Sequence, residues 1–162
     1  MKKTVLGFML GVGCVSLQAT TPLWMRDAVI SPDGSEIAFC YKGDIYKVNA
    51  KGGEALRLTT QPSYESTPVW SPDGQQIAFA SDRFGSTDIF VMPASGGEAR
   101  RLTSNSANET PSAFTPDGKH VLFSASLQDP AESAMFPTSA MTELYQVSVA
   151  GGRTEQVLGT PA

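Results

Sequence analysis

A chain that repeats one tight turn three times at near-constant spacing has few folds open to it. Here the copies are Ile30-Ser31-Pro32-Asp33-Gly34, Trp70-Ser71-Pro72-Asp73-Gly74 and Phe114-Thr115-Pro116-Asp117-Gly118. From Asp33 to Asp73 is 40 residues and from Asp73 to Asp117 is 44. Pro presets φ at the second turn position, Asp and Ser or Thr bond nearby backbone N–H groups, and Gly relieves the exit. After each copy comes a strand pattern with period two, carried by Ile37 and Phe39, Ile77 and Phe79, and Val121 and Phe123. A loop of variable length follows, then an acid with two apolar residues: Asp44-Ile45-Tyr46, Asp88-Ile89-Phe90 and Glu143-Leu144-Tyr145. Eight residues beyond each acid stand Gly52, Gly96 and Gly151, each followed by a second Gly, as in a hairpin turn. A last short strand closes each unit at Leu56–Thr59, Arg100–Thr103 and Glu155–Leu158. With one more strand ending at Ile30, Trp70 or Phe114, each unit holds four antiparallel strands. That count and that period predict an all-β fold, a β-propeller with blades at about residues 24–60, 64–104 and 109–159. An ordinary sandwich would not need the same turn at the same place three times. Such rings usually have about four to eight blades, so three predict a partial propeller whose ring is not closed within this chain.

The first residues follow a different rule. Lys2 and Lys3 precede an uncharged apolar run, Thr4–Leu17, too short for a comfortable membrane span. Leu17-Gln18-Ala19 offers a small residue before a cut. The expectation is a secretory signal over residues 1–19 and an exported, periplasmic product. The alternatives are an uncleaved membrane anchor or a lipidated Cys14, although Gly11 stands where a lipoprotein signal prefers a branched aliphatic. The whole chain has 12 Lys and Arg against 16 Asp and Glu. Losing two Lys with the signal leaves 10 − 16 = −6, a balance that argues against nucleic acid and anionic membrane as partners. Of the two Cys only Cys40 would remain, so no internal disulfide forms.

The full unit reads hydrophobic-Ser-Pro-Asp-Gly, Ile-Ala-Phe, Ser-Asp-Arg-x-Gly-x-x-Asp-Ile-Phe, Gly-Gly-Glu-Ala-x-Arg-Leu-Thr, complete between Val69 and Thr103. It resembles the WD-like repeat of the TolB and tricorn protease propellers. The first unit has only Tyr41-Lys42-Gly43 in place of Ser-Asp-Arg. The third has a longer insertion, Ser126 to Met141, and Thr154-Glu155-Gln156 in place of the basic residues. Ala19 is thirteen residues before Pro32, which leaves no room for the α/β domain that precedes TolB propellers. The stretch Phe136–Tyr145 looks like the third blade of exported bacterial tricorn homologues. The resemblance implies the non-catalytic propeller of an exported serine peptidase, acting as a filter or docking platform for peptides. Its peptidase residues would belong to C-terminal domains of a longer parent, so none is carried over to this chain. The alternatives are a TolB-like periplasmic protein-binding scaffold and the propeller of a prolyl-oligopeptidase-like hydrolase. Partners would be peptides or a protein on the propeller face, the parent's peptidase domains, or a second copy covering the open blade faces.

The residues of chemically reactive types mostly have plainer duties. Asp33, Asp73 and Asp117 read as turn locks rather than as a metal triad. His120, with Ser124 and Asp117 near it in sequence, has the residue types of a hydrolytic triad, but the repeat places His120 in the slot of Glu36 and Gln76. Cys40 is equivalent to Ala80 and Ser124, a slot for a small side chain. One His and one remaining Cys supply no metal-ligand pair. Asp82 and Arg83 read as a local pair in a loop, with a rim contact for peptide as the functional alternative. Arg100 and Arg101 read as solvated strand residues, with an acidic peptide as the alternative partner. The insertion Leu127–Met141 carries Met135, Phe136 and Met141 on a loop, suited to a ligand or a neighbouring domain. Trp24, Trp70 and the recurring Phe and Tyr read as inter-blade core. No catalytic, cofactor-binding or metal site is expected in this chain, and no cofactor.

Overall fold

The computed structural model describes residues 24–126 and 142–157. The expected signal segment and the insertion Leu127–Met141 lie outside the described residues. There is no helix among the described residues, only twelve strands in three four-stranded antiparallel sheets. Blade 1 holds β1 (Met25–Ile30), β2 (Glu36–Tyr41), β3 (Asp44–Asn49) and β4 (Leu56–Arg57). Blade 2 holds β5 (Glu65–Trp70), β6 (Gln76–Phe84), β7 (Ser86–Pro93) and β8 (Arg100–Arg101). Blade 3 holds β9 (Glu109–Phe114), β10 (His120–Ala125), β11 (Glu143–Ser148) and β12 (Glu155–Gln156). Strand order in each sheet follows the chain, and the first strands β1, β5 and β9 pack in succession. This is a partial β-propeller, with no sheet closed on another into a ring.

Two details depart from the sequence pattern. The last strand of each blade is only two residues long, though one further bond extends the pairing: Leu58 N–H to Ile45 O, Leu102 N–H to Ile89 O and Val157 N–H to Leu144 O. Asp82 and Arg83 lie in β6 rather than in a loop, because the β6–β7 hairpin continues past Ser81↔Asp88 to Phe84↔Ser86 through a shift in register. That lengthening carries the two side chains onto the sheet.

The three repeated turns are built alike to within 0.1 Å. In each, the Ser or Thr hydroxyl donates to the Asp carboxylate at 2.6 Å. The residue after Gly donates its N–H to the same oxygen at 3.0–3.1 Å. The next N–H donates back to the hydroxyl at 2.9–3.0 Å. The Gly adopts φ of +69° to +74°, a region any β-carbon disfavours. Successive turns also touch. The place a β-carbon would take on Gly74 is 3.9 Å from Pro32 Cδ, and on Gly118 it is 3.8 Å from Pro72 Cδ. Each proline thus nests against the glycine of the next blade.

Between the blades lie two apolar layers. Ala38, Cys40 and Ile45 of blade 1 meet Ile77, Phe79, Phe90 and Met92 of blade 2. Ala78, Ile89 and Val91 of blade 2 meet Phe114, Val121, Phe123 and Val147 of blade 3. Every blade turns a stacked aromatic pair toward its predecessor: Phe39–Tyr46, Phe79–Phe90 and Phe123–Tyr145, with centroids 5.7–5.8 Å apart. Blade 1 has no predecessor among the described residues. Ile30 is therefore 62% exposed where its counterpart Phe114 is 7%, and nothing stands within 4 Å of the β-carbon position on Gly34.

Candidate functional site

The turn carboxylates Asp33, Asp73 and Asp117 each spend their bonds inside their own turn. Among the described residues no three His, Cys, Asp or Glu side chains converge as a metal site would require. Hydrogen bonds from Ser31 and Ser35 hold Asp33 down at about 2, and those from Ser71 with Gln75 and from Thr115 with Lys119 lower Asp73 and Asp117. The folded values lie below the unfolded ones. The stabilisation is therefore present above about pH 4 and is lost as pH falls toward about 2. The urea midpoint of the native chain should drop across that window, and the Asp33→Asn variant should drop less steeply when both are followed by circular dichroism.

His120 and Ser124 stand four positions apart on β10, about 13 Å at the usual strand rise. They face Ser148 and Leu144 in the register of β11. That separation is far outside the reach a nucleophile and its base require. Asp117 is held by Thr115 and Lys119, so the structure does not assemble the three. Cys40 is 4% exposed in the layer between blades 1 and 2. Burial first, and the nearby Asp27 carboxylate second, push its thiol up to about 12. A thiol so protonated is a poor nucleophile. In a Cys14→Ser chain it should react with a chromogenic disulfide at pH 8 only after urea unfolding, and prompt labelling of that chain when native would contradict this burial.

Sequence reasoning passed over a belt of buried carboxylates at the blade ends away from the repeated turns. Glu65, Asp88 and Glu109 are fully buried and Asp44 nearly so. Each belt member has a partner outside its own strand. Arg57 Nη2 lies 2.8 Å from Asp44, and Arg101 Nη2 lies 2.7 Å from Asp88. The Thr59 and Thr103 hydroxyls accept the N–H groups of Ile45 and Ile89 at 2.9 Å. Thr103 also donates across the blade boundary to Glu109, which Asn105 Nδ2 reaches at 2.6 Å. Burial raises Glu109, countered in part by those hydrogen bonds. The pattern was present in the sequence as a fixed interval: Asp44 to Arg57 to Thr59 and Asp88 to Arg101 to Thr103 both run 13 and then 2 residues. In blade 3 Gln156 replaces the Arg, and Glu143 instead accepts from Tyr145 Oη at 2.6 Å.

Two pairs expected from sequence are thereby corrected. Asp82 and Arg83 do not pair with each other. Asp82 accepts the Tyr64 N–H at 2.7 Å. Arg83 reaches back to buried Glu65 at 3.2 Å and lies 4.7 Å from the centre of the Phe90 ring. Arg101 is not a solvated strand residue either, since it partners Asp88 and covers the Phe84 ring at 4.5 Å. Arg100 is exposed and donates to Val149 O of blade 3. Trp70 fits the expected inter-blade core, donating its indole N–H to Val29 O at 3.3 Å. Trp24 does not, being 73% exposed.

Three concavities stand out among the described residues, one of about 470 Å³ lying between the repeated turns at Pro32 and Pro72. A cleft of about 780 Å³ runs between Leu58–Gln61 of blade 1 and Gly97–Arg101 of blade 2, with Phe84 at its mouth. Its Arg83 and Arg101 are already matched to buried acids, and the exposed Glu98 and Arg100 at its wall carry opposite charges. A smaller hollow of about 300 Å³ is lined by Trp24, Arg26, Lys42, Gly43 and Tyr64. It opens where β1 and β5 begin, at the end of the innermost strands opposite the repeated turns.

Residues 22–162 match the sequence profile of the tricorn protease N-terminal β-propeller domain. An uncharacterized peptidase of Bacillus subtilis, YuxL, is 42% identical over 65 residues, covering 37% of this chain and 9% of that protein. Among solved structures, a candidate TolB from Agrobacterium tumefaciens superposes with a TM-score of 0.67 at 27% identity, over 84% of this chain and 47% of its own. The tricorn protease superposes with a TM-score of 0.58 at 15% identity, over 77% of this chain and 14% of its own, a likeness of fold alone. The chain thus spans less than half the length of each of these relatives.

Proposed function

Since the chain belongs to the tricorn protease N-terminal β-propeller family, we propose that it is the non-catalytic propeller segment of an exported tricorn-like serine peptidase, docking or filtering peptides for peptidase domains carried by a longer parent. The observation that carries this reading is the use already made of the chain's ionisable core. The buried acids and Arg57, Arg83 and Arg101 serve the blade framework, and His120 and Ser124 stand too far apart to act together. The family match and the peptidase relative support the peptide chemistry. Export rests on the apolar run behind Lys2 and Lys3. Signal removal would leave Thr20 as the first residue, read directly by N-terminal sequencing of the secreted product.

The likeness to TolB at 27% identity favours a second reading, a protein-binding scaffold without peptidase partners. Hydrolysis assays separate binding from catalysis. The purified chain should leave fluorogenic peptides uncut over hours at neutral pH. Turnover by the chain that disappears in His120→Ala would overturn the non-catalytic reading.

A further inference from the structure

We propose that the hollow formed by Trp24, Arg26, Lys42 and Tyr64 binds a peptide through a carboxylate beside an apolar or aromatic side chain. The proposal rests on the peptide-docking reading above and names the chemistry that reading would use. Trp24 and Tyr64 occupy one slot of the repeat, six residues before Ile30 and Trp70; the third occupant is Asn108. Asn108 shows what that slot does when its role is structural. Its Oδ1 accepts the N–H and hydroxyl of Thr87 at 3.1 and 3.0 Å, tying blade 3 to the preceding hairpin. Tyr64 meets blade 1 through its hydroxyl, which accepts from Arg26, and the two aromatic occupants stand 73% and 43% exposed. Large rings left in water stabilise nothing by themselves, and side by side they form a wall.

Two cations border that wall. Arg26 lies 5.7 Å from the centre of the Tyr64 ring and donates to its hydroxyl, which leaves further donors of its five for a ligand. Lys42 sits in the two-residue loop between β2 and β3, at φ +52° before Gly43 at +87°. A loop of that shape prefers Asn, Asp or Gly at its first position. Lysine there opposes local preference, the kind of strain that collects at binding sites. No carboxylate lines the hollow. The neighbouring acids Asp27 and Asp82 accept the N–H groups of Thr67 and Tyr64 instead. Tyr64 itself is fixed, since the β-carbon position of Gly43 is 3.3 Å from its ring and Gly43 O accepts the Glu65 N–H at 2.7 Å. In a chain of net charge −4, an aromatic hollow with two cations and no acid selects an anion carrying an apolar group.

The test is a titration of the purified chain by calorimetry and Trp fluorescence with three short peptides. One ends in a free Phe carboxylate, one is its C-terminal amide, and one is amidated but carries an internal Asp-Phe pair. At least tenfold tighter binding of the first or the third than of the plain amide is expected, and which of the two binds tells a chain terminus from a side chain. Arg26→Gln with Lys42→Gln should weaken that binding at least tenfold, while Arg153→Gln should leave it unchanged. Circular dichroism confirms that each variant is folded, and Lys42→Arg should restore binding. Equal affinity for the amide, or binding untouched by the double variant, overturns the hollow but spares peptide docking elsewhere. No binding of any peptide overturns both. Retention on phosphatidylglycerol vesicles without peptide binding overturns the proposal in favour of a membrane surface.

Discussion

Asp88→Ala should destabilise the chain by about 3–5 kcal/mol, the usual cost of removing one partner from a buried ion pair. Asp88 has no exposed side-chain surface, and Arg101 Nη2 stands 2.7 Å from it. Neither Asp88 oxygen receives an aligned hydrogen bond among the described residues, so its burial is offset by the charge of Arg101 and little else. Removing the acid strands that guanidinium against the Phe84 ring. Removing both partners with apolar replacements should cost much less, because no unmatched charge is then left behind. The check is a urea titration of Asp88→Ala, Arg101→Met and Asp88→Leu with Arg101→Met, followed by Trp70 fluorescence. If the double variant is as damaged as Asp88→Ala, the pair is not the source of the loss.

Phe79→Ala is expected to cost a similar amount, about 3–5 kcal/mol, by opening a cavity between blades 1 and 2. Phe79 is fully buried, stacks on Phe90 at 5.8 Å and lies 5.6 Å from the Arg83 guanidinium. Its loss removes a wall from the layer that also holds Cys40 and Ile45. Cys40 should then become reactive in the folded variant, a readout that ties the damage to this interface. Ile30→Ala makes the contrast. That side chain faces the side of blade 1 without a neighbour and is 62% exposed, so its truncation should move the urea midpoint hardly at all. A large loss in Ile30→Ala would mean that blade 1 is covered by something beyond the described residues.

The strand framework was legible because its signals are local and repeated. The three turns, the alternation at Ile77 and Phe79, and the glycines at 52, 96 and 151 each dictate backbone shape within a few residues. The carboxylate belt was harder to read because its bonds cross strands and blades. Thr103 and Glu109 are six residues apart, yet one ends blade 2 and the other opens blade 3. Arg83 reads as a loop residue in the sequence because nothing local announces that β6 continues past Ser81. Its partner Glu65 lies 18 residues back, on a strand whose pairing only the register reveals. Trp24 was misjudged by analogy. Tryptophan at a recurrent position suggests core, but its slot lies at the end of the innermost strand, where Tyr64 of blade 2 is exposed as well.

The contact of each proline with the glycine of the following blade divides the molecule into two unequal rims. On the rim of the repeated turns, successive blades meet through Pro32 against Gly74 and Pro72 against Gly118, at glycines whose φ of +69° disfavours a side chain. The same contact recurs at 3.9 and 3.8 Å although the units run 40 and 44 residues. The difference between the first two units falls on the opposite rim, between second and third strands: two residues at Lys42-Gly43 against an extended hairpin around Gly85. One rim repeats a single joint from blade to blade, and the other is where the blades vary in length.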